Sequence, residues 1–517
     1  MTDFAQPYPD AVEDERPART APAGAIGADI VPARRFLYPA FAALVFLKLV
    51  NVFLAVPLAD EGYYWLWGKF PDWSYYDHPP LGGWVNGAAS AIFGDGLLGI
   101  RLATLVSFAA TMAVLAWWTR RLTPAMRGPD ALLAAACVWL ASPWLMNFQS
   151  IAFHDHLLIC FGVLAAHFLG LFVLSMDAAE GPRFRWLYAG CVAVGLAGLS
   201  KYSGVFIGLS FAAWVIATPK GRGLLKSPHL WAGGALAVAM QAPVIYWNEV
   251  NNWPSFQYNL HDRIGDTHHA TAAERIFSFS KNYVLLFSPV LFVALMRFVF
   301  GRRVDGPAAA LQGIGRFGFA IPTVVFLALG FSTSVLYYWN VVSLVFFLPV
   351  ALLFMRSAME VRLHVFWGIA FSAMALFNST FFPLTLITGR SVSDFNISHG
   401  LPEIAAIVEE EEQRLGAEMV LTTDYRTASL LALTTKRTDI ASLGKREDMW
   451  DFWWDPSLHK GEDAVVLAYD RFPETELIDK VFERTEAIRE FTIVRHGYEI
   501  QRYWLVHAEN YSGEGPQ

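Results

Sequence analysis

Apolar runs of close to ~20 residues, the length a helix needs to cross a hydrocarbon core about 30 Å thick, recur along the chain. The first, "FLYPAFAALVFLKLVNVFLAV", begins directly after Arg34 and Arg35. A large apolar soluble enzyme would not need this repetition. Composition agrees: 55% of the 517 residues are hydrophobic and 16% are charged, against about a quarter charged in ordinary soluble domains. The 19 tryptophans suit membrane interfaces, where an amphipathic ring has one wet end. A net charge of −7 argues for neither nucleic acid nor a strongly anionic partner surface. Cys137, Cys160 and Cys191 lie inside apolar runs and read as packing residues, with neither a disulfide framework nor zinc spacing.

The pattern predicts a mostly α-helical integral membrane protein with about eleven spans, at roughly 36–57, 97–118, 130–148, 155–175, 186–200, 203–218, 229–247, 282–299, 316–332, 340–355 and 363–383. If the spans alternate, Arg34, Arg35, Arg120, Arg121, Arg127, Arg183, Arg185, Lys220, Arg222, Lys226, Arg297, Arg302, Arg303, Arg316, Arg356 and Arg362 fall on one side. The positive-inside rule makes that side the cytoplasm. Residues 1–33, rich in Pro, Ala and acidic groups and without the layout of a signal peptide, read as a disordered cytoplasmic tail. Residues 34–384 form the membrane domain, with outer loops at 58–96 and 248–281. Residues 385–517 turn charged and acidic and predict a small α/β domain on the outer side. Within it, "LPEIAAIVEEEEQRLG" has helical spacing; "EMVLTTDY", "DAVVLAYD" and "FTIVRHGYEIQRYWLVHA" read as strands.

Chemistry-bearing residues gather on that outer side. In "LADEGYYWLWGKFPDWSYYDHPPLGGW", Asp60 and Glu61 are followed by Tyr63, Tyr64, Trp65 and Trp67. Aromatic cover desolvates a carboxylate and raises its pKa, which favours use as a general base; solvated carboxylates closing the first span are the plainer reading. Pro79 and Pro80 stiffen the chain after Asp77 and His78. "FHDHLL" places His154, Asp155 and His156 at the outer lip of a span. Two histidines at i,i+2 are a weak metal signal, so this is read as a polar lip. Lys201, in "GLSKYSG", is an isolated outer cation able to meet a lipid phosphate, or else to snorkel. The loop near 248–281 adds Arg263 and Lys281 as anion-binding candidates, and Trp253, Phe256 and Tyr258 argue for order in it. "WDFWWDP" (450–456) reads as packing against the membrane domain, or as a sugar-stacking surface. There is no phosphate-cradling glycine loop or Walker motif, which favours a substrate that arrives activated on a lipid.

The segments "ADEGYYWLWGKFPDWSYYDHPPLGGW", "IRLATLVSFAATMAVLAWW", "AFHDHLL", "GLSKYSGV" and "PVIYWNEVNNWPSFQYNL" resemble the bacterial membrane glycosyltransferases of the protein-mannosyltransferase-like and aminoarabinose-transferase-like group. The resemblance implies a GT-C helical bundle with its active site on the outer face of the bacterial inner membrane. It implies a polyprenyl-phosphate-linked sugar donor and an envelope glycolipid acceptor, lipid A or lipopolysaccharide core being favoured. The catalytic carboxylate falls on Asp60 with Glu61 beside it, the second acidic residue on Asp155, and donor-phosphate binding on Lys201. Some relatives carry a basic residue just after the first acidic pair; here Gly62 and Tyr63 stand there, so Arg263 is added as a second phosphate candidate. Tyr63, Tyr64, Asp77 and His78 are expected to shape the pocket. No metal or other cofactor is expected to be obligatory, a divalent ion being the lesser alternative. Nucleic acid is not an expected partner. The competing class is a secondary transporter with an outer accessory domain; a transferase acting on protein or O-antigen keeps the donor and changes the acceptor.

Overall fold

The computed structural model describes residues 26–123, 129–259, 270–384, 386, 393–473 and 475–515. Among these, five helices are long and apolar enough to cross a membrane: Arg34–Leu54, Leu97–Leu122, His154–Ser175, Ala308–Leu329 and Ala358–Thr380. The first has 21 residues, which at 1.5 Å per residue gives a rod of about 31 Å. Helices suit this solvent because each bonds its own backbone, leaving nothing polar for the lipid to satisfy. Arg120 and Arg121 close the Leu97–Leu122 helix, complementing the negative end of its dipole.

Four further helix pairs are bent, raising the count to nine if each pair is one span. The eleven spans expected from hydropathy are not confirmed: the remaining two, at 130–148 and 186–200, hold only shorter apolar helices. Apolarity counts residues but does not register direction. The expected span at 282–299 breaks between Phe287 and Pro289 with a bend of 102°, and that at 340–355 breaks into arms at 77°. Pro289 and Pro349 each open the second arm, the position where a missing N–H costs nothing. The shorter apolar helices Asp130–Leu140 and Phe184–Ser200 lie within the expected spans at 130–148 and 186–200.

The soluble part holds a five-stranded sheet in the order β2-β1-β3-β5-β4. Its strands are β1 (Met419–Thr422), β2 (Ala441–Ser442), β3 (Ala464–Tyr469), β4 (Phe482–Arg495) and β5 (Tyr498–Tyr511). β1 runs parallel to both β2 and β3, and β5 is antiparallel to β3 and β4. Every residue of β3 is buried, which explains its unbroken apolar run at the centre of the sheet. His496 and Gly497, both at positive φ, form the two-residue turn joining β4 to β5, whose twist such turns match. The Leu401–Leu415 helix buries Leu401, Ile404, Ala405 and Val408, the one-sided stripe that helical spacing predicts.

Between bundle and sheet lies the segment 58–96, the first outer loop in the expected topology. Its helix Ala59–Lys69 packs on Leu81–Phe93 below and on Tyr425–Thr435 of the soluble part above.

Candidate active site

Asp60 and Glu61 stand in the first turn of the Ala59–Lys69 helix, where the dipole favours negative charge. The turn sends them to opposite environments. Glu61 is fully buried, and its two oxygens accept four hydrogen bonds. Oε1 takes Arg101 Nε at 2.7 Å and the Ala152 N–H at 2.9 Å. Oε2 takes Arg101 Nη2 at 2.6 Å and the Leu58 N–H at 3.1 Å. Arg101 also donates to the carbonyls of Ala55 and Val56. Glu61 thus ties the end of the first span, the second span and the 152 loop to the outer helix. Asp60 is half-buried beside Tyr64 and Tyr425. Burial first, and then the charge of Asp60, hold both of those hydroxyls well above the ordinary tyrosine range.

Asp155 and Lys201 meet although 46 residues apart, because the helices His154–Ser175 and Phe184–Ser200 pack side by side. Lys201 Nζ lies 2.9 and 3.1 Å from the two Asp155 oxygens, and His154 Nε2 lies 3.1 Å from Oδ2. The Nζ also sits 4.9 Å from the centre of the Tyr338 ring. Lys201 is therefore not the isolated cation expected from its sequence surroundings: it is buried and paired. Helix packing, which spacing does not reveal, makes the difference.

Asp77 and His78 close the group. Asp77 accepts from the Tyr63 hydroxyl at 2.9 Å and from the Arg446 guanidinium of the soluble part. The ring of His78 lies 3.9 Å from that of His154, centre to centre, and Tyr64 faces both. Tyr63 is enclosed by Trp67, Tyr425 and Trp450, the last stacked at 5.7 Å. The aromatic segment 450–456 thus packs on the outer loop.

An apolar cavity of about 980 Å³ opens beneath His78 and Lys201 and runs down to Leu225 and Trp231, with Phe206, Phe256 and Trp339 on its walls. A cation and a histidine at the head of a long apolar trough suit an amphiphile with an anionic head. Among the described residues no three His, Cys, Asp or Glu side chains converge as a metal-ligand set. Arg263 lies outside the described residues.

Three functional candidates escape a reading by spacing. Arg101 had a legible signal: it is a basic residue at the opposite end of its apolar run from Arg120 and Arg121, against the positive-inside trend. Arg446 and Tyr425 had none, since only the docking of the soluble part brings them to the loop.

The comparisons with known proteins bear on the fold and on the family resemblance. The sequence model of the dolichyl-phosphate-mannose-protein mannosyltransferase family matches residues 77–247. The resemblance to that group of membrane glycosyltransferases holds. A lipid A galacturonosyltransferase, RgtD of Rhizobium johnstonii, is 26% identical over 195 residues, which span 37% of this chain and 38% of that relative. The crystal structure of ArnT from Cupriavidus metallidurans bound to undecaprenyl phosphate superposes with a TM-score of 0.58 at 17% identity, covering 94% of this chain and 100% of that one. Its apo state gives 0.57 at 17% identity, over 93% and 99%. The fold is GT-C-like, and the chain is a multi-pass membrane protein.

Proposed function

We propose that the protein is an inverting glycosyltransferase. It moves a sugar from a polyprenyl-phosphate donor to an envelope glycolipid, lipid A or lipopolysaccharide core being favoured, at the outer face of the bacterial inner membrane. The observation that carries this reading is the joint placement of Lys201 and His78 at the head of a long apolar cavity, with Asp60 on the neighbouring outer helix. The polyprenyl chain lies along the cavity and its phosphate reaches Lys201. Asp60 takes the proton of the acceptor hydroxyl as the new bond to the anomeric carbon forms. The bond from that carbon to the phosphate oxygen breaks, and the electron pair leaves with the phosphate, whose added charge Lys201 stabilises. One displacement through an oxocarbenium-like transition state inverts the anomeric centre. Glu61, saturated by Arg101 and two backbone N–H groups, holds the outer helix in place rather than touching substrate. Asp155 orients Lys201. No step needs an obligatory metal. The N-terminus is cytoplasmic and the sheet domain periplasmic.

The transporter reading is weaker, because the buried pairs Glu61–Arg101 and Asp155–Lys201 sit at the outer ends of their spans rather than at mid-membrane. Lys48, deeper in the first span, donates to the Gln149 carbonyl and to Ser150 Oγ. The deciding experiment is mass spectrometry of envelope glycolipids from cells lacking the gene, complemented with wild type or Asp60→Asn. Loss of one sugar from one glycolipid, restored by wild type and not by Asp60→Asn, is the expected result; general-base assistance is worth about 10²–10⁴-fold. Restoration by Asp60→Asn refutes the role of Asp60. A sugar missing from protein or O-antigen redirects the acceptor, and no change in any glycan favours transport.

A further inference from the structure

The parallel strands β1 and β2 direct their carboxyl ends at the first outer loop. In open α/β sheets that edge carries the loops that face a ligand. Here the segment after β1 supplies Tyr425, and the segment after β2 supplies Arg446, Met449 and Trp450. All four touch the outer loop. Tyr425 lies 5.3 Å from Tyr63, Arg446 pairs with Asp77, the Met449 N–H donates to the Tyr63 hydroxyl at 2.9 Å, and Trp450 stacks on Tyr63. The approach is close enough that a Cβ on Gly62 would stand 2.4 Å from the Ser429 carbonyl oxygen.

The outer helix has no basic residue until Lys69, which is held by Asp95 at 2.6 Å. Arg446 enters from the soluble part instead. Its guanidinium lies over Tyr258 at 5.0 Å and Tyr425 at 4.8 Å. Two aromatic faces and a carboxylate hold the planar fork in one orientation, while the side chain stays 33% exposed.

We propose that the sheet domain is a working wall of the site, and that Arg446 is a positioning residue which, by holding Asp77, sets His78 at the head of the apolar cavity. Asp77 is gripped from both sides, by Tyr63 and by Arg446. The next residue is His78, and the Pro79–Pro80 pair removes slack beyond it. His78 meets His154, which bonds Asp155, which holds Lys201. A continuous path of contacts therefore runs from the sheet domain to the cavity head. Its chemistry rests on the transferase reading; its geometry does not.

The test uses full-length protein in lipid nanodiscs: wild type, Arg446→Gln, Arg446→Lys and Arg437→Gln. Arg437 bridges Glu412 and Asp439 within the sheet domain, so its variant also loses ion pairs there but leaves the outer loop alone. Three quantities are read: affinity for undecaprenyl phosphate, amide hydrogen exchange over residues 74–84, and kcat and KM for sugar transfer. Arg446→Gln is expected to weaken lipid-phosphate binding and kcat/KM by about 10- to 100-fold, the cost of misplacing a site group by about 1 Å, and to speed exchange over 74–84. Arg446→Lys recovers part of each, and Arg437→Gln changes none. Equal behaviour of Arg446→Gln and Arg437→Gln in exchange and in binding overturns the proposal, as does an Arg446→Gln loss fully accounted for by a smaller folded fraction. If wild type binds the lipid phosphate but transfers no sugar, the transferase reading fails and the binding comparison alone decides Arg446. If wild type does not bind it, the exchange comparison decides.

Discussion

Replacing Arg101 by methionine tests how the outer helix is held. Glu61 and Arg101 are 0% and 1% exposed, joined at 2.6 Å. Methionine keeps much of the apolar stem and removes the guanidinium. Glu61 then retains only the N–H groups of Leu58 and Ala152, and the Ala55 and Val56 carbonyls lose a donor. Stripping one partner from a buried pair costs about 3–5 kcal/mol, because the charge left behind has neither water nor a counter-ion. Removing both charges is far less costly, so Glu61→Leu/Arg101→Met should recover most of that loss. Because the pair also anchors the turn that bears Asp60, the double variant should regain stability without regaining full transfer activity. Denaturant unfolding in mild detergent, followed by tryptophan fluorescence, reads the first effect, and a transfer assay the second. A single-variant loss below about 1 kcal/mol, the worth of an exposed ion pair, would refute the reasoning. So would a double variant no more stable than Arg101→Met.

Three further expectations follow from the same geometry. Lys201→Met should weaken binding of a polyprenyl phosphate about tenfold or more, by removing a charge-assisted bond to phosphate; unchanged affinity in a direct titration moves the phosphate elsewhere. Gly62→Ala forces a methyl against the Ser429 carbonyl and should cost about 1–3 kcal/mol of overpacking, read as easier protease cleavage between bundle and sheet domain. Burial pushes the Asp448 carboxyl well above the ordinary range, outweighing the Trp450 N–H and the Arg446 charge. A carboxyl raised in the folded state stabilises it below the unfolded pKa, and that contribution is lost as pH rises through the folded value. As pH rises above the ordinary carboxylate range, melting of wild type should therefore fall more steeply than melting of Asp448→Asn, and parallel curves would contradict this.

The helical, membrane-spanning character of the chain was legible because it depends on local composition. Twenty apolar residues are costly in water wherever they occur, and cations sort to one side of the spans by the same rule in any chain. The strand Ala464–Tyr469 and the helix Leu401–Leu415 likewise stand where a short β-rich apolar run and helical spacing put them. Direction was not legible: the bends at Ser288–Pro289 and beyond Leu344 fall inside runs that hydropathy reads as straight spans.

At the site, the residue types were readable and their pairings were not. Asp60 and Glu61 are adjacent and chemically alike, yet one turn of helix makes one a saturated buried anchor and leaves the other beside the tyrosines. Asp155 and Lys201, read as separate features of two loops, form one ion pair because their helices lie together. Asp77 was read as a residue of a stiff turn; its second partner, Arg446, comes from 369 residues away. Sequence alone determined which apolar runs become membrane helices and that the carboxylates, histidines and lysine stand near their ends, since burial of apolar runs is a local energy. Only the tertiary structure decided which charges neutralise one another, because that depends on distances of a few ångströms between residues the chain itself keeps far apart.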